Sequence, residues 1–228
     1  MKKIGKMNEM AWVLGILLCS LGVSLCTKAD FGLSMIAAPP YILHLKMVQY
    51  FPWWSQGTSE YIWQGFLLIV MCGILRRFKV KFLLCFATAV LFGFALDGWF
   101  QLLGGNGAYA TMTARIISFV LGESITALSI AFYFKTDLPL QIYELLVTQI
   151  ADKLGKTTAQ VKQVNDIVMF VLSVALALVL TRGFNGVGIG TVLITVVNAP
   201  LIRMFSALLD KCFVFDARFP ALVGKLKV

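Results

Sequence analysis

The chain holds a single histidine, His44, and no two cysteines spaced closely enough to form a CxxC pair. A histidine-based metal cluster is thereby excluded, and neither an HExxH helix nor a Ser-His-Asp set is present. No enzymatic activity and no cofactor are expected. Charge is scarce as well: 14% of the 228 residues are charged, against about 25% in soluble domains. The five cysteines are an odd count, and Cys19, Cys26, Cys72 and Cys85 fall within apolar runs. Packing suits them better than a disulfide framework.

What replaces charge is hydrocarbon. The composition is 59% hydrophobic with a mean hydropathy of +0.85, which is that of an integral membrane protein. One bilayer-embedded bundle supplies the core, so residues 1–228 are expected to form a single transmembrane domain. The net charge of +9 comes from short basic clusters beside apolar runs. Orientation in a membrane explains these better than nucleic acid does, and no nucleic-acid partner is expected.

The opening "MKKIGKMNEMAWVLGILLCSLGVSLC" resembles a signal peptide, but no small-x-small cleavage site follows and the apolar run continues. It reads as an uncleaved first helix. Six spans are predicted, at about 10–26, 61–75, 82–103, 113–134, 165–181 and 187–209. A span needs roughly 20 residues, so the second and fifth are expected to extend into their polar flanks or to thin the bilayer.

The basic residues set an orientation. With the N-terminus inside, Lys2, Lys3, Lys6, Arg76, Arg77, Lys79, Lys81, Lys153, Lys156, Lys162, Lys211, Arg218, Lys225 and Lys227 are cytoplasmic. Only Lys28, Lys46 and Arg182 fall outside, with Arg115 near an outer helix end. This is the positive-inside bias. It predicts a multi-pass protein of the bacterial cytoplasmic (inner) membrane with both termini cytoplasmic.

Two segments fit no span: "TKADFGLSMIAAPPYIL" before span two and "KTDLPLQIYELLVTQIADKLGKTTAQ" before span five. They echo one another. Lys-x-Asp-x-x-Leu recurs from Lys28 to Lys135, an offset of 107, and span three overlies span six at 106, placing Asp97 opposite Arg203. Near-equal offsets, framed by the same span–segment–span–span order, predict an internal repeat with halves at about 9–104 and 112–209. Three crossings per half invert the second half. The expected fold is therefore all-α, six transmembrane helices in a 3+3 inverted-topology repeat, each half with an extra short broken helix. That helix is either re-entrant or lies flat at the interface. In the first segment Gly32 and Ser34 break the chain before a short helix that Pro39–Pro40 interrupts. In the second, Asp137 is the expected N-cap of a helix over 138–154, with Pro139 in its first turn and Gln141, Glu144, Thr148 and Asp152 on a polar face.

"LGVSLCTKADFGLSMIAAPP" resembles the first motif of the YczE/YyaS/YitT-type bacterial integral membrane proteins, a Gly/Leu-rich helix leading into a Lys-Ala-Asp-x-Gly-x-Ser-like turn. "GFNGVGIGTVLITVVNAPLI" resembles that family's later Gly-x-Gly-Thr helix, through Gly188, Gly190 and Thr191. Where the family shows a Pro-Trp-Asp run after the first motif this chain has "MIAAPP", so an aspartate role there does not carry over. The resemblance supports the architecture and leaves the substrate open.

Ionisable groups inside a bilayer are functional candidates by default. Glu123 lies about eleven residues from the inner end of span four, ~16 Å deep at 1.5 Å per residue. It reads either as a paired carboxyl locking two helices or as a proton- or cation-coupling site. Asp97 and Arg203 sit at opposite depths and are expected to bracket a central cavity or to act as ion-pair partners. Asn198 lies beside Pro200, which frees a backbone carbonyl in span six. Lys28 with Asp30, and Lys135 with Asp137, read as local ion pairs at helix entries, the helix starts offering N–H groups to a charged ligand. The glycines at 183–190 lack a following Gly-Lys-Ser/Thr, so close helix approach or a gate, shared with Gly32, replaces a phosphate loop.

The function expected is a small secondary transporter moving a small polar or charged solute, with proton coupling through Glu123. A channel or lipid-handling protein, and a membrane assembly or regulatory subunit, remain as alternatives. The expected partners are the lipid bilayer and a small-molecule or ion substrate, with a homodimer left open.

Overall fold

A computed structural model describes residues 7–105 and 107–216. Lys2, Lys3, Lys6, Arg218, Lys225 and Lys227, on which part of the orientation rests, lie outside the described residues. Those described form α1 (Asn8–Ala29), α2 (Ala38–Met47), α3 (Gln56–Leu75), α4 (Phe82–Leu102), α5 (Met112–Tyr133), α6 (Ile142–Leu154), α7 (Thr158–Leu176) continued by a π-helical turn (Ala177–Thr181), and α8 (Ile189–Cys212). All but α2 and α6 are long and apolar enough to cross a membrane. This is the build of a multi-pass membrane protein.

The two short spans lengthen as expected, because polar side chains at their starts close exposed helix N–H groups. Ser55 Oγ accepts from Thr58 N at 2.9 Å, which lets α3 begin at Gln56. Thr157 and Gln160 make a reciprocal capping box that starts α7 at Thr158. The extra helices begin differently from expectation. Pro39 and Pro40 do not interrupt α2; they stand in its first turn, where proline costs no intrahelical bond. Asp137 does not cap α6 and Pro139 is not in its first turn. Residues 134–141 stay non-helical, and the helix starts only at Ile142. The supposed polar face also divides: Gln141 is buried ahead of the helix, whereas Thr148 and Asp152 are exposed.

At the centre α1 and α5 cross at Gly22 and Gly122. A Cβ on Gly22 would meet Gly122 O at 2.7 Å, and one on Gly122 would meet Gly22 O at 2.8 Å. Backbone contact of this kind requires small residues on both helices. Around that pair, α1 packs on α4 and α5 on α8. The short helix α2 touches α3 and α7, while α6 touches α7 and α3. The correspondence stops at the last pair: α3 and α4 pack closely, but α7 and α8 scarcely touch.

The short helices do not lie on the bundle surface. α6 runs parallel to α3: Ile142 N donates to Gln64 Oε1 at 3.1 Å, and Lys153 Nζ to the Ile74 carbonyl. Its 13 residues, ~20 Å at 1.5 Å each, thus accompany the C-terminal half of α3. The segment before α2 reaches a similar level of α7, where Ser173 Oγ donates to Met35 O at 3.4 Å. Each short helix begins near the middle of a long one.

Candidate functional site

The two motifs singled out by glycine meet backbone to backbone. α1 ends at Asp30 in the left-handed region (φ 55°), and Gly32 follows at φ +105°, a conformation open chiefly to glycine. The Phe31 carbonyl accepts from Gly190 N at 2.8 Å, and Leu33 N donates to Gly186 O at 2.9 Å. A Cβ on Gly32 would meet Gly188 N and Thr191 Oγ1 at 2.6 Å; one on Gly188 would meet Phe31 O at 2.5 Å. Thr191 Oγ1 accepts from Gly188 N at 3.2 Å, closing the start of α8. Gly32, Gly188, Gly190 and Thr191 therefore form one latch, in which every glycine makes room for backbone.

Beneath the latch lies a cavity of about 10 Å³, room for one water-sized guest. Glu123, Thr126 and Ser34 supply its polar lining, among apolar Val23, Leu33 and Ile194. Glu123 is 5% exposed, and its Oε1 has no hydrogen-bond partner among the described residues. Asn198, one turn along α8 from Ile194, likewise has a buried Oδ1 with no partner among them. A wider surface groove of about 370 Å³ lies by Leu75, Arg77, Asp152 and Lys153, where the charged groups are exposed.

Sequence reading missed a buried polar network between α3 and α6. Tyr143 OH donates to Glu60 Oε2 at 3.1 Å, Gln64 Nε2 to Gln141 Oε1 at 3.0 Å, and Gln141 Nε2 lies 3.4 Å from Tyr133 OH. Glu60 and Gln64 are 1% and 0% exposed. The available signal was Ser55 as an N-cap. Starting the span there turns Glu60 and Gln64 into one i, i+4 face rather than a polar flank.

Other expected contacts are replaced by longer-range ones. Lys28 does not pair with Asp30; its Nζ donates to the Gly105 and Gly107 carbonyls at 2.8 Å each. Asp30 is bound by Arg115 at 3.0 Å, which also donates to the Ala29 and Asp30 carbonyls and so closes the end of α1. Lys135 pairs with Asp210 at 2.7 Å, and Asp137 uses its N–H on Asn8 Oδ1. Neighbours two apart on a helix or its fraying end point different ways, so the Lys-x-Asp spacing does not bring them together.

Asp97 and Arg203 do not bracket a cavity. Asp97 receives Ser55 Oγ at 2.6 Å and Gly57 N at 2.8 Å, acting as a second cap on α3, and Arg203 is exposed on α8. The short helix starts spend several of their N–H groups within the protein. At α2, Ala38 N is taken by Ser34 O, Tyr41 N by Ala37 O, and Pro39 and Pro40 have no N–H. At α6, Ile142 N is taken by Gln64 and Leu145 N by Gln141 O.

These features define an all-helical, multi-pass membrane protein with a buried carboxyl and carboxamide interior. The chain belongs to a family of unknown function, DUF6198, whose profile matches residues 6–207. It is 26% identical over 215 residues to the uncharacterized protein YyaS of Bacillus subtilis (strain 168), covering 93% of this chain and 98% of that protein. The likeness to YyaS expected from the two motifs is thus found along nearly the whole chain. No solved structure matches it.

Proposed function

We propose that this protein is a small bacterial secondary transporter of the cytoplasmic membrane, moving a small polar or charged solute with proton coupling, and that its kinship extends to YczE- and YitT-type membrane proteins. The observation that carries this reading is the pair of short helices, each beginning beside the middle of a long apolar helix. Backbone that leaves helical form at such depth is tolerated where it lines a path for solute. Both segments are re-entrant in this view, the first from outside and the second from inside.

An inverted repeat accounts for the packing. α1 and α5 correspond at both ends with an offset of 104 residues (Asn8 to Met112, Ala29 to Tyr133), and the starts of α2 and α6 share it (Ala38 to Ile142). The contacts α1 on α4 and α5 on α8 are then one contact made twice. The latch of Phe31 and Gly32 on Gly188 and Gly190 serves as a gate above Glu123, and rocking one half on the other opens it.

The reading is tested with purified protein in proteoliposomes, screening amino acids, organic anions, vitamins and simple ions for stabilisation and uptake. A solute that raises the melting temperature and accumulates supports it. Absence of both, with copurification of another membrane protein, favours an assembly subunit instead. That second reading draws on one feature, the large apolar faces that α7 and α8 leave uncovered.

A further inference from the structure

The sign and shape of the solute follow from which hydrogen-bonding groups the interior leaves unused. Around the cavity these are acceptors. Glu123 Oε1, on a side chain 95% buried, and Asn198 Oδ1, one turn from the cavity wall, have no partner among the described residues. Thr126, in the cavity wall, spends its hydroxyl proton on Gly122 O at 2.8 Å and has none left to donate. Buried acceptors without donors are costly, and a carboxylate most of all.

The positive groups that could answer an anion are engaged elsewhere. Lys28 is bound by two carbonyls beyond the end of α1, Arg115 by Asp30 and two carbonyls, and Lys135 by Asp210. At the starts of α2 and α6, Ala38 N is taken by Ser34 O and Ile142 N by Gln64 Oε1, and Pro39 and Pro40 have no N–H to offer an anion. A metal ion fits poorly. Hard cations take six or more oxygens, and here three oxygen-bearing side chains stand among apolar ones.

From these placements we propose that the site under the Phe31–Gly190 latch binds a water-sized cation that carries its own N–H donors: ammonium, or the ammonium head of a small primary amine. Ammonium has the dimensions of a water molecule, matching a cavity of about 10 Å³. It brings the positive countercharge that a Glu123 carboxylate lacks, and four N–H donors for a site whose polar lining is Glu123, Thr126 and Ser34. The same space takes the ammonium head of methylammonium, whose methyl needs a small shift of Val23, Leu33 or Ile194. This deepens the transporter reading and rests on it for the passage of the solute, though not for its binding.

The experiment is thermal unfolding of the purified full-length protein in ammonium, methylammonium and sodium chlorides, and in sodium acetate, at equal ionic strength. Ammonium and methylammonium are expected to raise the melting temperature by a few degrees over sodium chloride, and acetate to leave it unchanged. Glu123→Gln should abolish that rise while melting near the parent in sodium chloride. Should Glu123→Gln fail to fold, Ile194→Phe, which fills the cavity without touching the carboxyl, should abolish the rise instead. Equal protection by sodium, protection by acetate, no protection by any salt, or an undiminished rise in the variants each overturns the proposal. Proteoliposome uptake of radiolabelled methylammonium separates the two ideas. Binding without uptake leaves the ammonium site standing and removes the transporter. Uptake of an anion with no ammonium protection does the reverse.

Discussion

Gly190 donates its backbone N–H to the Phe31 carbonyl at 2.8 Å, tying the start of α8 to the residue that follows the end of α1. The bond spans most of the chain and exists only because Gly32, Gly188 and Gly190 carry no side chain at the contact.

Gly32→Ala is therefore expected to be among the most damaging single-carbon additions. Its φ of +105° is strained for alanine, and its Cβ would come within 2.6 Å of Gly188 N, which is backbone and cannot swing aside. A loss of about 1–3 kcal/mol is expected from the strain alone. Gly73→Ala, in α3 with nothing within 4 Å of the added carbon, should be neutral or stabilising by up to about 1 kcal/mol. Melting temperatures of the two variants compare them directly. A Gly32→Ala protein as stable as Gly73→Ala would mean that the latch is not closed.

The Glu60–Tyr143 contact makes a second prediction. Both side chains are nine-tenths buried or more, so Tyr143→Phe strands a carboxyl oxygen and should cost about 1–3 kcal/mol. Glu60→Gln keeps an acceptor for the phenol and should cost less. A double-mutant cycle with Glu60→Leu and Tyr143→Phe should give a coupling of about 0.5–3 kcal/mol. Strict additivity would show that the 3.1 Å contact carries no energy.

The long helices were legible because a run of apolar side chains has one stable disposition in a bilayer, and its length is set by the bilayer. Gly32 likewise announces a break by its own backbone geometry. Partners were not legible. Nothing local in "QGTSEYIWQ" says that Glu60 and Gln64 will meet Tyr143 and Gln141, because that pairing depends on how far α6 travels beside α3. Lys28 and Asp30 show the converse: neighbours in sequence are not partners in space, and Arg115 is the residue that the fold brings to Asp30.

The orientation gives a third prediction. Trp53, 71% exposed, and Lys79 and Lys156, both exposed, lie in the connections before α3, after α3 and after α6. As single cysteines in a cysteine-free background, Trp53→Cys should react with an impermeant thiol reagent from outside. Lys79→Cys and Lys156→Cys should react only from inside. Opposite sidedness for 53 and 79 would reverse the orientation. Labelling of position 156 from outside would mean that residues 134–157 cross the bilayer rather than re-enter.

The last prediction separates the two buried acids. Glu123 has an unpartnered oxygen beside a cavity, while Glu60 is held by Tyr143 at 3.1 Å within a closed network. A group that exchanges protons with a moving solute needs a free position and a route to it; a group locked by a phenol is better suited to holding helices together. Glu123→Gln retains shape and hydrogen-bonding capacity but cannot titrate. In proteoliposomes, an imposed pH gradient should change the rate of solute uptake by the parent protein and by Glu60→Gln, and should have no effect on Glu123→Gln. Its melting temperature in sodium chloride, expected near that of the parent, separates loss of the response from loss of the fold. If a folded Glu123→Gln protein responds to the gradient as the parent does, Glu123 is not the coupling group. If Glu60→Gln loses the response instead, the proton path runs through the α3–α6 network, and the latch would have to open onto Tyr143 rather than onto Glu123.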